Sequence, residues 1–236
     1  ALHAATPESA FEVLALLRRE SLRGSQYGIY ADAEVLAEDG VPMDDVRWQN
    51  IYLRIDALEV ANEVAQLDPR WGRRKKNTDA AAVMKAICDK VGPAASVLAA
   101  ELKELKNSEV AKDSGQWKDL EKKVLALARR YSQARIRLAY VRPDAVEEAV
   151  RDLMGTFPEQ YSDGQAHLDG MAEFRGLVQK AREQFLSGEE GAMETADKVF
   201  AFQQKALLAN PLLESDGIAV VRRNVDTSIP KWVQYG

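Results

Sequence analysis

The strongest constraint on this chain is a helical period of apolar residues that runs, with few breaks, from about residue 44 to residue 209. Val46, Trp48, Ile51, Tyr52, Ile55, Leu58, Ala61 and Val64 recur at spacings of three and four, which puts them on one side of a helix. The rhythm resumes through Val83, Met84, Ile87, Cys88 and Val91, and again through Trp117, Leu120, Val124, Leu127, Tyr131, Ala134 and Leu138. Helices that each carry one apolar stripe must cover one another, so the pattern demands a bundle. Turn residues are scarce, with 14 Gly and 8 Pro, and many mark the breaks: Gly40-Val41-Pro42, Asp68-Pro69, Gly92-Pro93, Arg142-Pro143 and Ser187-Gly188. Aromatic residues make up only 7% of the chain, which leaves little to build a sandwich or barrel. The expected fold class is all-α, an irregular antiparallel bundle of about six to eight helices with one short C-terminal β segment.

Local signals place the elements. Thr6-Pro7-Glu8 suits a first helix start, and Gly24 its end. Residues 25–43 read as a connection with a short helix near 31–37. Thr78 is expected to cap a helix, Pro93 and Pro143 to open others, and the short Ser187-Gly188 link to join helices 163–186 and 189–209 as an antiparallel hairpin. No repeat of fixed period is evident, so a solenoid is not expected. Three regions follow: a bundle over 1–142, a hairpin subdomain over 143–211 packed on it, and an extended tail over 212–236. In that tail Ile218-Ala219-Val220-Val221 is the one convincing β segment, and a lone strand needs a partner for its face and edges.

The net charge of −5 argues against general nucleic-acid binding, which needs a basic surface to displace counterions. No apolar run approaches the ~20 residues that span a bilayer. A di-iron bundle needs Glu-x-x-His pairs, but the two histidines, His3 and His167, do not follow a Glu at that spacing. Cys88 lies on an apolar stripe and reads as a buried small hydrophobe rather than a nucleophile. His167 reads as a polar-face or capping residue, and Glu147, Glu148 and Asp152 as a surface strip. No catalytic set, metal site or cofactor is expected. One dense basic run remains, Arg70-Trp71-Gly72-Arg73-Arg74-Lys75-Lys76, whose cations can grip an acidic partner or anion and whose Trp71 suits an interface anchor.

The run Lys205-Ala206-Leu207-Leu208-Ala209-Asn210-Pro211-Leu212-Leu213, followed by Asp216 and a strand closing on Arg222-Arg223, resembles a junction in large bacterial proteins related to the hydrazine synthase alpha subunit. There a helix leads through such a segment into a β-propeller-like region. The family has an aromatic residue where Ser215 stands, and its haem attachment motifs are absent here, so redox activity does not carry over. The resemblance implies a helical domain, exported with its parent, that packs against a β domain. Trp48 to Val64, with Tyr52-Leu53-Arg54, Asp56 and Leu58, is similar to the opening helix of PsbQ-like extrinsic subunits of photosystem II. That second likeness implies an up-down four-helix bundle over 44–140 on the lumenal side of a thylakoid.

The function expected from these readings is that of a non-catalytic structural or docking module of a larger assembly, extracytoplasmic and not transmembrane. Its partner is expected to be a protein or an adjoining β domain, met through Arg70, Trp71, Arg73, Arg74, Lys75, Lys76, Ile218, Val220, Arg222 and Arg223. The alternatives are the PsbQ-like subunit, and an enzyme or carrier that draws an anionic substrate to the 70–76 loop.

Overall fold

A computed structural model describes residues 9–19, 27–67 and 78–213, and these are helical with no strand among them. The elements are α1 (Ala10–Arg19), α2 (Tyr27–Glu38), α3 (Val46–Leu67), α4 (Ala80–Val91), α5 (Ser96–Asn107), α6 (Gly115–Ala139), α7 (Pro143–Thr156), α8 (Gly164–Asp169), α9 (Met171–Ser187) and α10 (Ala192–Leu208). The expected all-α class holds. The expected β segment and the 70–76 loop lie outside the described residues.

Several boundaries differ from those expected, each for a local reason. Asp79 rather than Thr78 caps α4: its carboxylate accepts from the Ala81 amide at 3.2 Å. The stretch assigned mainly to connection holds the full three-turn helix α2, whose Ile29, Ala33 and Leu36 are buried. Gly92-Pro93 does not start α5 directly, because residues Gly92–Ala95 form a 3₁₀ turn first. The single helix expected over 163–186 is two, divided at Gly170. A Cβ there would come within 2.9 Å of the Phe202 ring, so α10 crosses closely at this point. Pro143 opens α7 as expected, and Gly188 ends α9 with φ 72°, a left-handed conformation that glycine adopts without strain.

A repeat that the amino-acid identities conceal is plain in the structure. Adding 69 to the bounds of α2 gives those of α5, Ser96–Asn107, and the same shift carries the start of α3 at Val46 to that of α6 at Gly115. Trp48 and Trp117 fall at equivalent positions, and each indole Nε1 donates to a valine carbonyl seven residues earlier, Val41 at 3.0 Å and Val110 at 3.3 Å. The ion pair of Arg54 with Asp32 recurs as Lys123 with Glu101 at the same shift. The pair α2–α3 is thus repeated as α5–α6, with α1 and α4 preceding each at the corresponding place in the chain. Few identities survive, among them Val41/Val110, Asp44/Asp113, Trp48/Trp117 and Leu58/Leu127, because the unit is held by stripe positions that many apolar residues can fill.

The long helices α3 and α6 pack together along the centre of the molecule. Their contacts step forward on one as they step back on the other, Arg54 with Tyr140 and Asp56 with Arg135, so the two run antiparallel. Both α4 and α9 lie against this pair, and α10 closes on α9. The main core runs from Leu53 to Ala206 and draws on α3–α10. A smaller core forms where α1 and α2 meet the first half of α3, around Val13, Ile29, Ala33, Trp48, Ile51 and Ile55. Leu186 of α9 touches both. Trp48 and Trp117, which lie on the expected stripes, are buried, as are Phe174 of α9 and Phe200 of α10.

Candidate functional site

The chemistry of this bundle concentrates at two arginines that interrupt apolar stripes. Arg135 lies between Tyr131 and Leu138 on the buried side of α6 and is itself fully buried. Its guanidinium donates to the Asp56 carboxylate on α3, to the Tyr131 hydroxyl at 2.7 Å and to the Phe185 carbonyl of α9 at 2.7 Å. The Tyr131 and Phe185 rings meet edge to face at 5.3 Å, with the cation 4.7 and 5.2 Å from their centroids. Phe185 lies in the last turn of α9, where carbonyls lack helical partners and the dipole is negative, so a cation is well placed.

Arg182 answers from the other side. It sits between Val178 and Phe185 on the buried stripe of α9 and donates to the Val141 carbonyl, just past the end of α6, at 2.9 Å. Burial pushes its affinity for a proton down. Each of the two helices therefore sends an arginine to the carbonyl end of the other, a reciprocal clasp that fixes the α7–α10 half against α6. By the 69-residue shift Arg135 corresponds to Gln66 and Asp56 to Leu125, so the clasp belongs to one half of the repeat alone. Sequence reasoning passed over both arginines. Their signal was helical phase: a cation at a stripe position must either snorkel or find acceptors inside.

On the outside, Arg54 joins Asp32 of α2 to the ring of Tyr140, with its cation 5.3 Å from the centroid. Tyr140 is 61% exposed, and Ile136, one turn earlier, and Val35, one turn beyond Asp32, are exposed as well. The result is an aromatic residue held in place by a largely covered arginine on an otherwise solvated surface.

Two open grooves flank the bundle. One, of about 350 Å³, lies at the head of α4 between Asp79, Met84, Lys112, Trp117 and Lys118. The other, of about 230 Å³, lies at the α9–α10 turn between Pro93, Tyr131, Gln184 and Met193 with Glu189, Glu190 and Glu194. No three His, Cys, Asp or Glu side chains stand close enough to hold a metal ion among the described residues. Cys88 is buried, as expected, and its burial raises the thiol pKa, which suppresses the thiolate. Glu147 is held below the usual carboxylate range by Arg151 and Arg175, as befits a surface network.

The expectation for His167 is corrected. Its side chain is not on a polar face: it is 4% exposed, between the rings of Tyr161 and Phe202. The rings around it come from the turn before α8 and from α10, which the period of α8 alone cannot show. The expected partner-binding residues Arg70, Trp71, Arg73, Arg74, Lys75, Lys76, Ile218, Val220, Arg222 and Arg223 lie outside the described residues. No described helix is long and apolar enough to cross a membrane. Comparison with protein-family models, with curated proteins and with solved structures finds no match for this chain.

Proposed function

We propose that the chain is a non-catalytic helical module that docks within a larger assembly. The observation that carries this reading is the contrast between inside and outside. Buried hydrogen-bonding groups such as Arg135, Arg182, Tyr161, Trp48 and Trp117 bind backbone carbonyls or a carboxylate of neighbouring helices and connections, whereas Tyr140 is pinned by Arg54 in an exposed position. A fixed aromatic side chain loses little entropy on contact, and Tyr with Arg is a combination favoured at interface anchors. On this reading the partner is a protein or an adjoining β domain in an extracytoplasmic setting, and the basic run from Arg70 to Lys76 supplies a second contact.

The test is the mass of the native complex in extracts of the producing cell, with the 26.2 kDa chain as reference. The expected result is a heavier species that Tyr140→Ser combined with Ile136→Ser dissociates while the melting curve is kept. Charge reversal of Arg70, Arg73, Arg74, Lys75 and Lys76 is expected to weaken it further. A chain that migrates alone, or a complex indifferent to both sets of changes, overturns the reading.

A further inference from the structure

We propose that His167 is an acid-released latch that holds α8 against α10. The short helix α8 packs on α7 and α9, and its ring contact with α10 is made through this imidazole. The His167 ring centroid lies 5.9 Å from that of Tyr161 and 6.1 Å from that of Phe202. Tyr161 is tied to α10 by its hydroxyl, which donates to the Ala206 carbonyl at 2.8 Å, and Phe202 is stacked on Phe174 of α9 at 4.6 Å. Two glycines let the backbone come this close: a Cβ on Gly164 would collide with Met154 and Tyr161, and one on Gly170 with Phe202.

In this setting the neutral ring fits and the cation does not. Nε2 is buried without a hydrogen-bond partner, so an added proton would have no acceptor. The charged groups that bear on the ring are Lys205 from α10, which opposes a proton, and Asp163 at the head of α8, which favours one. From α7 and α9 the cluster receives Met154 and Phe174, which offer no charge. Burial, then Lys205, hold the imidazole pKa below its ordinary value of 6.5, with Asp163 a partial offset. Below that value the proton is taken up more readily in the open form. Acid therefore lifts α8 and uncovers the Tyr161, Phe202 and Phe174 rings.

The latch does not depend on the docking reading, and its readout is hydrogen exchange in the intact chain. Protection factors, in which the pH dependence of intrinsic exchange divides out, are compared at pH 7.5 and stepwise down to pH 5. An opening linked to one proton gains up to about tenfold per pH unit between 6.5 and the closed-form pKa, and levels off below it. The amides of α8 are expected to lose protection at that rate while those of α3 and α6 hold. In His167→Phe, which cannot titrate, α8 is expected to be insensitive to pH, and Lys205→Gln, which raises the closed-form pKa toward 6.5, should reduce the total loss of protection without moving its onset. Equal loss in His167→Phe, or no loss in the wild type, overturns the proposal. Should His167→Phe fail to fold, His3→Ala, which leaves His167 the sole histidine, is read in two ways: imidazole resonances that titrate below 6.5 with α8 exchange rising over the same pH range uphold the latch, and titration at or above 6.5, or α8 exchange that does not follow it, overturns it.

Discussion

The Arg135–Asp56 pair is where a single atom group does most to order the molecule, since its guanidinium reaches α3 and α9 from α6. A buried ion pair gives little net stability compared with a well-packed apolar pair, yet loss of one partner strands the other charge. Asp56→Ala is accordingly expected to cost about 3–5 kcal/mol in urea unfolding. The double change Asp56→Leu with Arg135→Met should recover most of that loss, because both charges leave together. A double variant as unstable as the single would show that the hydrogen bonds to Tyr131 and Phe185, not the charge, dominate. Tyr52 offers a second test at this scale. Its hydroxyl is buried without a partner, and burial, assisted by the negative charge of Glu12, pushes its pKa up to about 12 from 10.0. The unfolded chain therefore releases this proton first. The contribution is whole below pH 10 and is lost as pH rises from 10 to 12. In Tyr52→Phe that part of the alkaline loss should vanish, and stability at pH 7 should be unchanged or slightly higher, since an unsatisfied buried hydroxyl is removed.

Between elements, fit at the glycines separates packing from propensity. Gly164 and Gly176 both lie in helices of the C-terminal half, but a Cβ on Gly164 would stand 2.2 Å from Met154 Cγ, whereas one on Gly176 would meet nothing within 4 Å. Gly164→Ala is expected to destabilise by about 1–3 kcal/mol through overpacking, and Gly176→Ala to stabilise by about 0.5–1 kcal/mol through helix propensity. Thermal unfolding of the two variants checks both signs. The same distinction explains what could be read from the chain beforehand. Stripes such as Trp48-Ile51-Ile55 and Trp117-Leu120-Val124 announce helices because the period is local. Pro143 and Gly188 mark boundaries because their backbone limits are local too. The division at Gly170 and the burial of His167 depend on where Phe202 comes to rest, and nothing within α8 records that. Arg135 and Arg182 were visible as breaks in a stripe, but their acceptors, Asp56 and two helix-end carbonyls, are 79, 50 and 41 residues away. The repeat was concealed by the same tolerance that lets Ala33 and Leu102, or Ile55 and Val124, fill one position.

For the whole molecule, the repeated unit has two unequal environments. In the second copy α4 packs against both α3 and α6, and its residues join the main core. In the first copy α1 packs chiefly on α2, and the corresponding place beside α3 and α6 is taken by α9. Val13 and Leu17 of α1 therefore join only the smaller core, which Leu186 alone among α9 residues also touches. Opening α1 and α2 exposes that smaller core and leaves intact the Arg135 and Arg182 contacts, which lie between α3, α6 and α9. Stability is then graded along the chain, and the grading has a direction: the first unit should open before the second although the two share one plan. In native-state hydrogen exchange under low urea, amides of α1 and α2 should exchange through a subglobal opening. Those of α4, α5 and α6 should require the larger transition. Arg182→Met, which unfastens α9 from the end of α6, should bring the α9 and α10 amides down toward the α1–α2 level while those of α4 keep their place. Simultaneous exchange of both units would mean that α3 transmits order across the pair so well that the molecule has a single cooperative core, and the inequality of the two copies would then be one of geometry without energetic consequence.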